Sequence, residues 1–439
     1  MEKPTFKDAL KFWIKLGLIS FGGPAGQISI MHEYLVVKKK WISDSRFMHA
    51  LNYCMILPGP EAQQLATYSG WLLHGVWGGL AAGTLFILPA MFLLLGMSIL
   101  YVTFGNIPWI YALFTGLKPA VVAIIVLALI KIGKKALLSA FHYIVAICAF
   151  IGIFIFHIPF QIIIIGTIVL AVVCLLFFPN VFQNKDNDAN KNNIDESEYY
   201  INNTVTDTKS KLSPAQALAK MAISIVLWCA PVVLLYTFSA QFEFWKEITL
   251  FFTQAAFITF GGAYSVLPYV AQESVEKYHW LTNLQMMDGL ALGETTPGPL
   301  IIILSFVGFM AGYHHYDMSV IMGTLALLVT TYYTFLPSFT FIFIGAPIIE
   351  KTQQNKWVKK ILSLVTAAVV GVVLNLAFYL ASAVLLSDQA TFMLVNWAAL
   401  GWILVSIWAM YYLQIGMIKW IGVSMLFGIA SYLIPLLLV

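Results

Sequence analysis

Charge is scarce in this sequence, and so is every signature of a soluble enzyme. Only 10% of its 439 residues are Asp, Glu, Lys or Arg, against about 25% in an ordinary globular domain. The net charge of +4 is small and scattered, which removes nucleic acid from the expected partners. The cysteines Cys54, Cys148, Cys174 and Cys229 form no CxxC pair and imply neither a disulfide framework nor a metal site. His32 opens "HEYLV", which lacks the second histidine of HExxH. There is no GxSxG elbow, phosphate-loop lysine motif or dinucleotide GxGxxG, so neither an enzyme nor a cofactor reading has an anchor. Lysines run through Lys15 with no small-residue cleavage site before the first glycine pair, and the N-terminus reads as retained sequence.

Apolar surface is what the chain has in excess. It is 60% hydrophobic, more than a soluble fold can hide. Runs such as "IIIIGTIVLAVVCLLFF" and "AISIVLWCAPVVLLY" support spans of about 20 residues and do not alternate as barrel strands would. The expected class is an all-α polytopic membrane protein. One polar stretch, Asn184 to Ser213, rich in Asn and Asp, reads as a flexible extramembrane connection. The organisation expected is a repeat over 1–183, a cytoplasmic linker over 184–213, an inter-repeat transmembrane helix over 214–240 and a second repeat over 241–439.

The case for two repeats rests on one offset. "FGGPAGQISIMHEYLVVKKKW" starts at Phe21 and "FGGAYSVLPYVAQESVEKYHW" at Phe260, 239 positions later. The same displacement carries Pro58-Gly59-Pro60 onto Pro297-Gly298-Pro299, Trp41 onto Trp280 and Phe12 onto Phe251. Several matches at one gapless offset mark an internal duplication. Phe12 to Ser20 is too short to span before Gly22, Gly23 and Pro24 interrupt it, and Pro58-Gly59-Pro60 cuts Met48 to Leu73 near its middle. Proline removes a backbone donor and clashes inside a helix. Discontinuous helices or re-entrant hairpins are therefore expected at the FGG and PGP motifs, where protein or a watered cavity satisfies the broken backbone.

Charge orients the units. If each hairpin enters and leaves on one side, four spans follow each, and one more crossing lies between, the second copy is inverted. Most lysines and Arg46 then fall on the cytoplasmic face, leaving Lys118, Lys246 and Lys277 outside, as the positive-inside rule prefers. Inverted repeats with broken helices bind substrate near the bilayer midplane in many secondary transporters. A fully spanning reading of the breaker segments, with a different span count, stays open here.

The breaks suggest anion chemistry. A helix starting after Pro60, with the proline in its first turn, presents unpaired N–H groups and the positive end of its dipole to an oxyanion. Glu61 is read as a proton site or as a first-turn partner of its own helix dipole. Glu294 is read as a proton site or a local cap, and Asp288 as a proton site or an interfacial cap. Arg46, the single arginine, offers a bidentate fork to an oxyanion, or else an interfacial anchor or a pair with Asp44. Gln27 is a candidate uncharged donor. His49 and Asn52 follow Arg46 at helical spacing, His49 with packing as its alternative. The shared glycines Gly22, Gly23, Gly261 and Gly262 point to special turns.

Phe21-Gly22-Gly23-Pro24, "LPGPEAQQLATYSG" from Leu57, Phe260-Gly261-Gly262 and Thr296-Pro297-Gly298-Pro299 together resemble the paired signatures of the chromate ion transporter family in its long two-domain form. The resemblance covers nearly all of the chain outside the linker. It implies a bacterial inner-membrane, multi-pass transporter that exports chromate, with sulfate as a similar tetrahedral dianion. It maps functional positions onto Gly22, Gly23, Pro24, Pro58, Gly59, Pro60, Glu61, Gln64 and Tyr68, and onto Gly261, Gly262, Asp288, Pro297, Gly298 and Pro299. Ala263 replaces the proline of the first signature, so the two halves need not ligate identically. The partners expected are a chromate- or sulfate-like dianion, protons on the strength of Glu61, Asp288 and Glu294, the lipid bilayer and a second copy of the chain. A carrier for sulfate or another oxyanion and a passive anion channel are the alternatives.

Overall fold

The computed structural model describes residues 4–21, 23–55, 57–105, 107–177, 198–201, 214–239, 241–260, 262–349, 356–386 and 396–437. The first half contains α1 (Phe6–Ile19), α2 (Gly23–His32), α3 (Asp44–Cys54), α4 (Glu61–Phe104), α5 (Pro108–Ala136), α6 (Ala140–Phe154) and α7 (Phe160–Phe177). A peripheral helix α8 (Pro214–Phe238) follows. The second half contains α9 (Phe242–Ile258), α10 (Leu267–Gln272), α11 (Asn283–Thr295), α12 (Ile303–His315), α13 (Val320–Ile349), α14 (Lys356–Leu385), α15 (Trp397–Tyr411) and α16 (Met417–Leu437). Among the described residues, seven helices (α4, α5, α7, α8, α13, α14 and α16) are long and apolar enough to cross a membrane. Large apolar side chains such as Trp77, Phe156 and Phe177 face outward, which suits lipid and not water. The chain is an all-helical, multi-pass membrane protein.

Breaks set the lengths of the remaining helices. The 14 residues of α1 reach about 21 Å, short of a ~30 Å hydrocarbon core. The 44 residues of α4 would reach about 66 Å if straight. It is divided at His74 and Gly75, where Gly75 takes φ 67° and ψ −153°, a region that essentially only glycine enters. A short piece from Glu61 to Leu73 thus precedes a full-length one. The helix begins at Glu61 with Pro60 as its N-cap at φ −76°, ψ 106°, so the proline sits just before the first turn expected to contain it.

The 239-residue offset reappears in three dimensions. After α2 the chain widens into a π-helical turn at Glu33–Lys38, and after α10 into another at Glu273–Lys277. Lys40 and His279 are both left-handed, at φ 48° and 52°. Ser43 caps α3 and Thr282 caps α11. Trp41 N–H donates to Leu35 O, and Trp280 N–H to Ser274 O, both at 2.8 Å. The two π-helical turns end 239 positions apart, and each of the other pairs is 239 positions apart.

The halves are also intertwined. Helices α5 and α14 pack on each other, α6 and α7 pack on α14, and α15 and α16 pack on α5. Small residues permit this: a Cβ on Gly116 would meet the backbone of Gly428, and one on Gly371 the backbone of Ala146. Without a Cβ the backbones approach closely and gain dispersion contacts, the main attraction between helices in lipid.

Among the described residues the linker meets the first hairpin at 198–201. Ile201 forms a parallel bridge with Ile42, its N–H donates to Trp41 O at 3.0 Å, and Glu198 pairs with Lys40. Residues 184–197 and 202–213 lie outside the described residues. Lys118, expected outside the membrane, is instead buried in the middle of α5.

Candidate functional site

Two helices end where the glycine motifs begin, and each is met by the opposite PGP turn. Thr259, just after α9, accepts through its carbonyl from Gly59 N–H at 2.7 Å. Ser20, just after α1, accepts in the same way from Gly298 N–H at 2.9 Å. Ser20 and Thr259 are 239 apart, as are Gly59 and Gly298. When i bonds j′ and i′ bonds j, the two contacting surfaces are related as by a two-fold axis. The hydroxyls of Ser20 and Thr259 turn back to Leu16 O and Ala255 O, at 2.5 and 2.6 Å. Their carbonyls, at helix ends that lack intrahelical partners, are thereby satisfied across the molecule.

Glycine is required at the crossing. Gly59 has φ 121° and Gly298 φ 102°, where a side chain is strained. A Cβ on Gly298 would stand 2.7 Å from Ala90 Cβ, and one on Gly59 would meet Ser338 Oγ and the Gln64 amide. Ala90 lies one residue after Pro89 on α4 and Ser338 one after Pro337 on α13, so each PGP turn rests on the equivalent shelf of a different long helix.

Several expected site residues gather here. Gln27 on α2 is 1% exposed and donates to Gly298 O at 2.5 Å and Ser20 O at 3.3 Å. Both amide hydrogens thus bracket the crossing, and its Oε1 is buried without a partner. Gln64 donates to Pro58 O at 2.7 Å and closes the first PGP turn. Glu61 starts α4, whose N-terminus has no side-chain cap. Its Oε1 lies 3.9 Å from where a Cβ on Gly262 would be. Gly23 (φ 71°) and Pro24 open α2, and Pro297 and Pro299 flank Gly298. Gly22 and Gly261 lie outside the described residues.

Others lie apart from the crossing. Tyr68 is buried against the rings of Tyr53 and Trp71. Arg46 is buried in the first turn of α3 at 7% exposure, while Asn52 is exposed. Asp44 contacts His32 at 2.6 Å. Glu294, next to last on α11, is buried; its Oε1 accepts from the Tyr264 hydroxyl at 2.9 Å and its Oε2 has no partner. Asp288 accepts from Tyr101 at 2.9 Å and stands 3.7 Å from Lys118 Nζ. At the tip of the second hairpin Lys277 meets Glu273 at 3.1 Å, and that hydrogen bond raises the lysine's pKa.

The two hairpins are packed differently. On α11 every residue from Met286 to Glu294 is buried, and the helix packs on α5, α14 and α16. On α3 the equivalents of Met287, Ala291 and Glu294 are Met48, Asn52 and Met55, and all three are exposed. Among the described residues α3 packs mainly on α4, without a comparable packing on α14. Glu61 is half-buried and within electrostatic reach of Lys135 at the end of α5. The first hairpin is thus more exposed than the second.

The sequence reading missed Ser20, Thr259, Tyr264, Lys118 and Ser338. The offset itself points to the first two, each lying directly before an FGG motif. Among the described residues no group of three His, Cys, Asp or Glu is placed to hold a metal ion.

Comparison with known proteins follows the same division into halves. The pattern that defines the family described as "Chromate transporter" matches residues 7–175 and again 246–429. A chromate transport protein of Pseudomonas aeruginosa is 32% identical over 82% of this chain and 77% of its own length. One from Cupriavidus metallidurans is 26% identical over 86% of this chain and 83% of its own. The Bacillus subtilis protein described as "Uncharacterized transporter YwrB" is 26% identical over 45% of this chain but 98% of its own length, so a relative exists that is about one half long. No solved structure matches. The chain, with its two matched halves crossing at Gly59 and Gly298, belongs to the chromate transporter family, whose members are transporters and not enzymes.

Proposed function

We infer that this protein is a secondary transporter of a tetrahedral oxyanion, exporting chromate, or sulfate in its place, and that its halves are inverted repeats. The observation that carries this reading is the reciprocal crossing of broken helices, Gly59 to Thr259 and Gly298 to Ser20. A two-fold axis in the membrane plane accounts for it, since one peripheral helix, α8, separates eight helical pieces on either side once the two parts of α4 are counted separately. Broken backbone at this depth persists only where protein or a watered path satisfies it. Names of relatives add the substrate class: two are chromate transport proteins.

In this state the path is open toward the lysine-rich face. Asn52 is exposed on α3; on this reading the first hairpin lies at membrane depth, where lipid is a poor neighbour for an amide, so a water-filled entrance supports its position. Arg46, Lys135 and the uncapped start of α4 give that entrance its positive potential. The anion passes from there to the α4 N-terminus beside Gly59 and Ser338, whose buried hydroxyl has no partner. The α11 hairpin closes the far side. Transport is the exchange of these two hairpin states, with the crossing as a fixed pivot.

Proton coupling falls to Glu294. It is enclosed with one neutral partner, Tyr264, and a bare carboxylate so placed is costly without a cation. Asp288 has Lys118 for that purpose and Glu61 has the open entrance. The test is flux in proteoliposomes under imposed pH and voltage gradients. Chromate accumulation driven by a pH gradient is expected, and flux indifferent to both gradients refutes electrogenic proton coupling.

A further inference from the structure

Behind the closed second hairpin lies an ion pair that the crossing does not use. Lys118 is 6% exposed in the middle of α5, and its Nζ stands 3.7 Å from Asp288 Oδ1 on α11. That is about 1 Å longer than a charge-assisted N–H to O contact. Asp288 Oδ2 is held by the Tyr101 hydroxyl of α4 at 2.9 Å, and its Oδ1 has no hydrogen-bond partner. The Tyr111 ring, 5.3 Å away, is the ammonium's other neighbour. The cation is buried, and its carboxylate holds it loosely.

Stability alone is a poor reason for such a pair. Desolvation of two charges commonly cancels their attraction, and apolar neighbours of similar size close a buried contact at least as well. The duplicated half also lacks it. Asp288 corresponds to His49 by the 239-residue offset. Lys118 corresponds to Thr366, because Ala120-Val121-Val122 on α5 matches Ala368-Val369-Val370 on α14. The α3 hairpin therefore has no equivalent charge pair with which to close, so closure as such does not call for one.

The geometry points to Lys118 as a second binding group for the transported dianion, held by Asp288 while the α11 hairpin is shut and given up to the anion when α11 moves away. This rests on the reading of the chain as an oxyanion transporter. Lys118 belongs to the long helix α5 and Asp288 to the hairpin, so opening must separate them. Opening without an anion strands an ammonium on α5 in a poorly solvated place, a cost of the kind that breaking a buried pair incurs. Opening with a dianion replaces the carboxylate with a new counter-charge. The pair thus restrains the exit from opening empty, which limits leak, and Lys118 draws the anion outward from the crossing.

The experiment uses the full chain in proteoliposomes with chromate and sulfate as probes, measuring exchange rate and half-saturation for the wild type, K118R and the neutral double variant K118M/D288N. The double variant removes both charges and leaves neither stranded, so it is expected to stay monodisperse with little change in Tm. Its exchange is expected to fall by about tenfold or more with a raised half-saturation, as for loss of one charge-assisted contact. K118R keeps the cation and is expected to retain exchange. Wild-type rate and half-saturation in K118M/D288N overturn the proposal, and so does a double variant that cannot fold, since the pair is then a stability element. A wild type that moves neither anion instead refutes the transporter reading on which the proposal stands.

Discussion

Replacing Gly298 with alanine tests the crossing by adding one methyl group. Gly298 has φ 102°, and forcing a side chain into so sparsely populated a region costs about 1–3 kcal/mol. The new Cβ would stand 2.7 Å from Ala90 Cβ and 3.3 Å from the Phe86 carbonyl oxygen. Neither neighbour is the free end of a flexible chain, and overpacking of this kind adds about 1–3 kcal/mol. The sum, about 2–6 kcal/mol, is a large part of an ordinary protein's stability. Thermal dispersal in detergent should show a clear fall in Tm, and chromate exchange should fall with it. The companion change A90G removes the clashing methyl but not the strain at φ 102°. By itself it costs about 1 kcal/mol as a helix-interior glycine, yet combined with G298A it should recover the packing share, a coupling of about 1–3 kcal/mol. G298A with wild-type Tm and flux, or a double-mutant cycle without coupling, would refute the reasoning.

Gln27→Leu removes the donors to Gly298 O and Ser20 O and leaves buried acceptors unmatched; a loss of about 1–3 kcal/mol is expected, read as a lower Tm, and no change would show the bracket to be idle. In a background without native cysteines, N52C should react with a membrane-impermeant maleimide from the lysine-rich side while A291C, at an equivalent position that is 1% exposed, should not; the reverse pattern contradicts the assigned open side. E294Q should keep chromate exchange and lose its response to a pH gradient. If E61Q does this and E294Q does not, the proton belongs to Glu61.

The periodic features of the sequence foretold more of the fold than its chemistry foretold of the site. Breakers are local, so FGG and PGP announced where helices stop. Partners across the bundle are not local. Nothing beside Ser20 says that its carbonyl meets Gly298, and Gln27, which read as a donor to an oxyanion, spends its amide hydrogens on that same crossing. Lys118 was counted among the flanking charges because topology rules count lysines without depth. Its distance from Lys131 along an unbroken apolar run was the overlooked sign of burial. The opposite exposures of Asn52 and Ala291 depend on how each hairpin packs on distant helices, which the local sequence of neither copy announces.

Counterflow measures the central claim most directly. Proteoliposomes loaded with sulfate and diluted into tracer chromate report whether one site is exposed alternately to the two sides. An alternating carrier predicts saturable chromate entry that is accelerated by internal sulfate and reduced when G298A disrupts the crossing. Entry that is linear in concentration and indifferent to internal sulfate would mean a passive pore, and would contradict the account.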